Sequence, residues 1–169
     1  MPSEDISYMR IALAAAQQAA DQGEVPVGAV VVCAGAVVGR GYNRREASQS
    51  PLGHAEIAAI DQASRHFGCW RLNQCAIYVT LEPCIMCMGA ILQARLGRLV
   101  FGSLDAKAGA VESLYRLCED QRLNHQLPAT GGVLASESAE ILAEFFQRLR
   151  ERKRDSQKAE RWPSPVEGA

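Results

Sequence analysis

One stretch organises the sequence: Leu81-Glu82-Pro83-Cys84-Ile85-Met86-Cys87-Met88. Pro83 suits the first position of a helix, because the N–H that it lacks would have no partner there. Cys84 and Cys87 are three positions apart and therefore share one side of the first helical turn. The positive end of the helix dipole favours the thiolate form of both side chains. The stretch predicts half of a metal site at a helix N-terminus.

The other half of the site is expected from His54-Ala55-Glu56, at the start of a second predicted helix. Residues i and i+2 point to different sides of a helix, but side chains in the first turn lean toward its N-terminal end. His54 and Glu56 can therefore both reach a point ahead of the helix axis. The sequence thus predicts two helix N-termini that face a single ion.

His54, Cys84 and Cys87 are a suitable ligand set for one zinc ion with an open fourth position. Structural zinc sites are normally closed by four side chains, whereas an open position holds a water whose pKa is lowered to about 7. Glu56 is then the predicted catalytic proton shuttle. A redox-active Cys-x-x-Cys pair is the alternative, and it leaves His54 and Glu56 without a role.

The composition is that of an ordinary globular domain, with 48% hydrophobic and 22% charged residues in a chain of 169. The net charge of −1 means that any site for a polyanion must be a local patch. No apolar run approaches the roughly 20 residues of a membrane span, and no signal peptide is visible. We therefore expect a cytoplasmic protein with no membrane partner. Its remaining cysteines should pack as small apolar residues: Cys33, Cys69, Cys75 and Cys118.

Hydrophobic periodicity predicts alternating helices and strands. The expected helices cover residues 3–22, 54–67, 84–96 and 136–149, and the expected strands cover 25–32, 36–39, 76–80, 98–102 and 131–134. Ala34-Gly35 is the expected hairpin turn, and a helical turn or two is expected over 111–118. The strand–helix–strand spacing around Pro83 predicts parallel pairing. The chain thus predicts an α/β domain over 1–154, with a mixed sheet of about five strands, followed by a frayed or disordered tail over 155–169.

The two site stretches together match the H-x-E…P-C-x-x-C signature of the zinc nucleobase deaminases. Further runs resemble the bacterial tRNA-specific adenosine deaminases, a branch of the cytidine deaminase-like superfamily. These runs are residues 24–30, 41–44, 78–84, 100–107, 124–125, 131–134 and 145–146. The resemblance extends over about residues 6–150, nearly the whole predicted domain.

The resemblance implies a three-layer α/β/α cytidine deaminase-like fold, one zinc ion per subunit and a homodimer that builds its RNA site across the interface. It implies RNA editing in which adenosine at wobble position 34 of a tRNA anticodon stem-loop is hydrolysed to inosine. In that reaction zinc-activated water attacks C6 of the adenine, ammonia leaves, and Glu56 moves the protons. The positions matching substrate contacts in the family are Asn43, the backbone of Ala55, Asp105 and the apolar side chains of Val27 and Leu81.

Two other functions use the same residues. A deaminase of free bases or nucleotides would share the three metal ligands and Glu56. A zinc-dependent RNA-binding module would share the ligands but would lack turnover. The signature does not separate these functions, so the RNA substrate depends on the resemblance alone.

Overall fold

The computed structural model describes the backbone of residues 3–161 and the side chains through residue 156. Within this range the chain forms five helices and five strands. Their order is α1 (Ser3–Asp21), β1 (Gly28–Cys33), β2 (Ala36–Tyr42), α2 (Arg45–Ser48), α3 (Ala55–Phe67), β3 (Cys75–Leu81), α4 (Ile85–Gln93), β4 (Arg98–Ser103), β5 (Ala129–Thr130) and α5 (Ala135–Arg161). None of these helices has the length and apolar character needed to cross a bilayer.

The five strands form one mixed sheet in the order β2-β1-β3-β4-β5. β1 pairs antiparallel with both β2 and β3, whereas β3, β4 and β5 run parallel to one another. The parallel pairing of β3 with β4 confirms what the strand–helix–strand spacing predicted. Ala34 and Gly35 form the hairpin turn with φ values of 48° and 81°, as a two-residue turn of this kind requires.

Helices cover both faces of the sheet and make the three-layer α/β/α fold that was expected. Alternate residues of β1 point to opposite faces, so the valines divide between two cores. Val31 joins the core beneath α3 and α4, which includes Ala59 and Ile91. Val30 joins the core beneath α1, which includes Met9. α5 packs beside α1 on that second face.

Two predicted elements of the C-terminal half are wrong. The last strand is Ala129–Thr130 rather than residues 131–134. A Cβ on Gly131 would lie 2.5 Å from the Phe101 ring, and Gly132 has a φ of 83°, so the chain turns away there. Residues 111–118 form turns rather than a helix, and the backbone N–H groups of residues 111 and 112 donate to the buried carboxylate of Glu82.

Two helices also differ from the expectation, one within the domain and one at its C-terminal end. α2, which was not predicted, occupies part of the polar loop before His54. α5 continues to Arg161, so residues 155–161 are helical where a frayed tail was expected. The rest of that predicted tail, residues 162–169, lies outside the described residues.

β2 and α3 approach each other closely because β2 carries two glycines on the face that meets the helix. A Cβ on Gly39 would lie 2.2 Å from the carbonyl oxygen of Ala59, and one on Gly41 would lie 2.1 Å from that of Ala55. No side chain fits at these distances. The glycines therefore set how near the N-terminus of α3, with His54, comes to the sheet.

Gly41→Ala should push α3 away from β2 and lower the free energy of unfolding by about 1–3 kcal/mol, the usual cost of overpacking. Gly89→Ala is the matched control, because no atom lies within 4 Å of its added Cβ. Alanine is also favoured over glycine inside a helix, so this variant should be more stable by about 0.5–1 kcal/mol. Urea unfolding measures both changes, and equal effects of the two substitutions would contradict this account of the packing.

A partly buried ion pair fixes the N-terminus of α1 to strands β3 and β4. Asp5 is only 1% exposed and accepts hydrogen bonds from Arg98 Nη1 at 2.7 Å, Arg98 Nη2 at 2.8 Å and the Tyr78 hydroxyl at 3.0 Å. The Arg98 guanidinium holds the pKa of Asp5 below its ordinary value of 3.8, against the opposing effect of burial. Burial and the bond to Asp5 raise the pKa of Tyr78 to about 12.

Asp5→Asn should lower the free energy of unfolding by about 1–3 kcal/mol at pH 7, because Arg98, whose side chain is 35% exposed, loses its buried partner. Because the pKa of Asp5 is lower in the folded state, its ion pair stabilises the fold fully above the unfolded-state pKa of 3.8. This stabilisation is lost as the pH falls below that value. The difference between wild type and variant should therefore shrink below about pH 4. Urea unfolding between pH 3 and pH 7 measures it.

The matched control for this prediction is Asp61→Asn, which removes an exposed ion pair with Arg65 at 2.8 Å. Exposed pairs contribute about 0–1 kcal/mol, so this variant should stay close to wild type. A difference between wild type and Asp5→Asn that is constant over the whole pH range would show that the ion pair is not its source.

Candidate active site

One nitrogen and two sulfur atoms converge between α3 and α4. His54 Nδ1 lies 3.7 Å from Cys84 Sγ and 3.4 Å from Cys87 Sγ, and the three atoms all lie within 4.8 Å of one another. Cys87 is fully buried, and the other two side chains are half-buried. Among the described residues this is the only group of three or more such side chains that could hold a metal ion.

The two helix N-termini bring these atoms together. His54 is the N-cap of α3 and Cys84 is the N-cap of α4, both with extended backbone conformations, and neither side chain caps its own helix. Both side chains are therefore free to point toward the space between the helices. The prediction for Pro83 was wrong by two positions, since α4 begins at Ile85 and Pro83 precedes the N-cap.

The pKa values of the two thiols are shifted in opposite directions. A hydrogen bond from Cys87, helped by one from His54, lowers the pKa of Cys84 to about 3 in spite of burial. The same bond and burial raise the pKa of Cys87. The bond to Cys84 also raises the pKa of His54. The hydrogen bond between the two sulfur atoms thus favours the thiolate form of Cys84 and the thiol form of Cys87.

Glu56 lies beside this cluster in the first turn of α3 and is only 4% exposed. Burial raises the pKa of its carboxyl group, although a bond to its own backbone N–H, the nearby His54 and the thiol of Cys87 act in the opposite direction. A buried carboxyl group with a raised pKa in a cleft is typical of a residue that exchanges protons with a substrate.

A cavity of about 240 Å³ opens onto the cluster. Its volume is below the roughly 300–1,000 Å³ of pockets for drug-sized ligands, so it suits one small ring system. The residues predicted to contact substrate all line it: Val27, Asn43, Ala55, Leu81 and Asp105. The lining also contains residues that the sequence analysis missed: Val25, Arg45, Glu82 and Ala108.

One wall of the cavity is held by the buried carboxylate of Glu24. It accepts hydrogen bonds from the backbone N–H groups of Glu46 at 3.2 Å and Ala47 at 2.6 Å, and so fixes α2. α2 begins with Arg45, which lines the cavity. Beside it, the side-chain amide of Asn43 donates to the carbonyl oxygen of Val25 at 3.2 Å. This wall therefore has a defined shape although it lies in a loop.

The opposite wall is held by Glu82, which is 2% exposed. Its carboxylate accepts hydrogen bonds from the backbone N–H groups of Asp105 at 2.9 Å, Glu112 at 2.7 Å and Ser113 at 2.9 Å. It also accepts a hydrogen bond from the Ser113 hydroxyl. Burial acts to raise the pKa of Glu82, but these bonds outweigh it and lower the pKa to about 2. The loop that carries Asp105 to the cavity is thus closed around one carboxylate.

Glu82→Gln should lower the free energy of unfolding by about 3 kcal/mol, since an amide cannot accept as many N–H bonds and turns its NH₂ toward other donors. The amides of residues 111–113 should also lose protection from hydrogen exchange. Glu140→Gln, on the exposed side of α5, is the control and should change stability by less than about 0.5 kcal/mol. Full protection of these amides in Glu82→Gln would show that Glu82 does not hold the loop.

The fold and the site place the molecule in the class of deaminases with the cytidine deaminase-like fold. The sequence model of the MafB19-like deaminase family matches residues 3–150. The tRNA-specific adenosine deaminase of Bacillus subtilis is 42% identical over 156 residues, which is 92% of this chain and 97% of that protein. The tRNA-specific adenosine deaminase of Haemophilus influenzae is 45% identical over 151 residues, 89% of this chain and 87% of that protein.

A solved structure from a study of A-to-I editing by tRNA:A34 deaminases at the wobble position of transfer RNA is also similar. It superposes with a TM-score of 0.78 at 44% identity and covers 80% of this chain and 99% of that one. The chain belongs to the family of tRNA-specific adenosine deaminases, which confirms the resemblance found in the sequence.

Proposed function

We propose that this chain hydrolyses adenosine to inosine at wobble position 34 of a tRNA anticodon, with zinc held by His54, Cys84 and Cys87. Glu56 is the proton shuttle in this proposal. The observation that carries it is a three-ligand cluster beside a buried carboxyl group at a base-sized cavity. The tRNA substrate is supported by the relatives, which are named tRNA-specific adenosine deaminases.

The distances in the cluster fit a zinc ion. In a tetrahedral site, a nitrogen ligand about 2.1 Å from zinc and a sulfur ligand about 2.3 Å from zinc lie about 3.6 Å from each other. The separations of His54 Nδ1 from the two sulfur atoms, 3.4 Å and 3.7 Å, are close to that value. When bound, zinc supplies the Lewis acidity that makes water nucleophilic near neutral pH. Three protein ligands leave one coordination position for solvent, as in catalytic sites.

Glu56 supplies the proton transfers that the reaction needs. Adenosine and water become inosine and ammonia, so one proton must leave the attacking water and protons must reach the purine ring and the departing amino group. Burial raises the pKa of Glu56, which makes its carboxylate a better proton acceptor than an exposed one. Its position at the cavity beside the ligands lets one carboxyl group serve both steps.

The cavity walls select a flat base. Val27 and Leu81 offer apolar side chains to the faces of the ring, and Asn43 offers an amide to a polar edge. The first backbone N–H groups of α3 have no partner within the helix, which leaves the N–H of Ala55 free to donate to the base. Asp105 lies on the opposite wall, where it would contact the anticodon loop. Splayed bases of single-stranded loops are the usual targets of such sites.

Arg45 supplies positive charge at the rim of the cavity, next to where the phosphates of an inserted nucleotide would lie. By resemblance to the family, we expect a cytoplasmic homodimer with one zinc ion per subunit and an RNA site that spans the interface.

The direct test gives the zinc-loaded protein an anticodon stem-loop with adenosine at the wobble position, and in parallel free adenosine, cytidine and guanine. We expect inosine in the stem-loop and no ammonia from the free compounds. Ammonia from a free compound, with the stem-loop unchanged, would overturn the tRNA assignment in favour of a free-base or nucleoside deaminase.

Glu56→Gln should lower kcat on the stem-loop by about 10²–10⁴-fold, the usual contribution of general acid–base catalysis. Zinc content and stem-loop affinity should stay at wild-type values, because the three ligands and the cavity walls are unchanged. Asp61→Asn, on the exposed side of the same helix, is the control and should have wild-type kcat. Wild-type turnover by Glu56→Gln would remove Glu56 from the mechanism.

A further inference from the structure

We propose that Cys33 and Cys75 are a redox modification site, at which a peroxide converts the two thiols to a reversible disulfide between β1 and β3. Cys33 is the last residue of β1 and Cys75 is the first residue of β3. Leu81, which lines the active-site cavity, is the last residue of β3. It lies six positions after Cys75 along the strand, a distance of about 20 Å. The pair is therefore separate from the metal ligands.

The strand register puts the two cysteines directly opposite each other. β1 and β3 are antiparallel, with Cys33 paired with Cys75 and Val31 with Ile77. Both cysteine side chains are on the face covered by α3 and α4, where Cys75 belongs to the core and Cys33 packs against it. The two thiols therefore share one face at the same level of the sheet.

The backbone hydrogen bonds show which kind of antiparallel pair this is. The N–H of Cys75 donates to the carbonyl oxygen of Leu72 at 2.9 Å, and the carbonyl oxygen of Cys75 accepts from the N–H of Gly97 at 3.0 Å. Both groups point away from β1, so Cys33 and Cys75 form a non-hydrogen-bonded pair. In such pairs the Cα atoms are about 4.5 Å apart and the side chains are closest. That separation lies within the range that a disulfide spans.

The surroundings of the pair allow a small oxidant to enter. A cavity of about 410 Å³ is lined by Cys33, Cys75 and the exposed Cys69. Burial and the neighbouring Cys33 thiol raise the pKa of Cys75 to about 12, so Cys75 is the protonated partner. Cys33 is more exposed than Cys75, which is only 4% exposed. Within the pair, Cys33 is thus the thiol that is more accessible to a solvent-borne oxidant.

Oxidation, rather than metal binding, fits this group of thiols. The atoms of Cys33, Cys69 and Cys75 do not approach one another as closely as those of the catalytic cluster, which is the only three-ligand group in the described part of the chain. Two thiols alone would leave a soft metal ion short of protein ligands. A pair of facing thiols is sufficient for a disulfide.

The reaction balances with one peroxide per disulfide. The Cys33 thiol gives up its proton, its sulfur attacks one peroxide oxygen, the O–O bond breaks, and the departing hydroxide takes up that proton to become water. Cys33 is then a sulfenic acid. The Cys75 sulfur attacks the Cys33 sulfur, the S–O bond breaks, and the departing hydroxide takes the Cys75 proton to become a second water. Two thiols lose two electrons, and the peroxide gains them.

The disulfide would close a loop that contains His54 and Glu56, and this gives it a measurable effect on stability. Cross-links over long loops stabilise a protein mainly by restricting its unfolded chain. Oxidation should therefore raise the melting temperature by about 5–10 °C, and reduction with dithiothreitol should reverse the rise.

The test treats the full-length, zinc-loaded protein with a small excess of hydrogen peroxide, blocks free thiols and maps the cysteines by mass spectrometry. We expect a Cys33–Cys75 linked peptide that has lost two hydrogens, together with the rise in melting temperature. Cys33→Ser and, separately, Cys75→Ala should abolish both results. Cys69→Ser and Cys118→Ser are the controls and should retain both.

Three results would overturn the proposal. The first is that Cys33 and Cys75 are both recovered as free thiols after peroxide treatment. The second is that Cys33 is linked to Cys69. The third is that zinc is released and Cys84 is linked to Cys87 before the Cys33–Cys75 peptide appears. None of these measurements depends on activity toward tRNA.

Discussion

The site depends on two helix N-termini that meet across a few ångströms. α3 presents His54 and Glu56, α4 presents Cys84 and Cys87, and neither N-cap side chain, His54 or Cys84, caps its own helix. The position of α3 follows from the glycines of β2, where the helix backbone lies too close for any side chain. The position of α4 follows from β3, because only three residues, the last of them Cys84, connect the end of β3 to the start of α4. The sheet thus sets the separation of the ligands, and helix geometry sets their direction.

The cavity needs more than these two helices, because both of its walls are irregular. Each wall is closed around a buried carboxylate, Glu24 for α2 and Glu82 for the loop with Asp105. A buried carboxylate is stable only when its oxygens are satisfied, and here backbone N–H groups satisfy them. These bonds give loops the rigidity that a binding site requires without adding regular structure.

Sequence reasoning was most successful where the signal is local. The spacing of His54, Glu56, Cys84 and Cys87 was sufficient to predict the facing helix N-termini, because helix geometry depends on neighbouring residues. The mixed sheet, the hairpin turn and the parallel pair β3–β4 followed from periodicity and from chain connectivity. The predicted substrate contacts all line the cavity, but their roles came from the resemblance and remain proposals.

The errors lie where contacts join distant parts of the chain. Residues 111–118 carry apolar residues at helical spacing, yet they form turns that are anchored to Glu82, about 30 positions earlier in the chain. The ring of Phe101 excludes any side chain at Gly131, which ends the last strand early. Neither partner is visible in a local pattern. In the sequence, Glu82 is visible only as an acidic residue directly before Pro83 and Cys84. The fold shows which N–H groups it binds.

X-ray absorption spectroscopy of the zinc-loaded protein tests the central claim, an open three-ligand centre, most directly. We expect one zinc ion per chain with two sulfur ligands at about 2.3 Å, one imidazole nitrogen at about 2.0–2.1 Å and one oxygen from solvent. Four protein ligands around the ion, or zinc bound with fewer than two sulfur atoms, would contradict it.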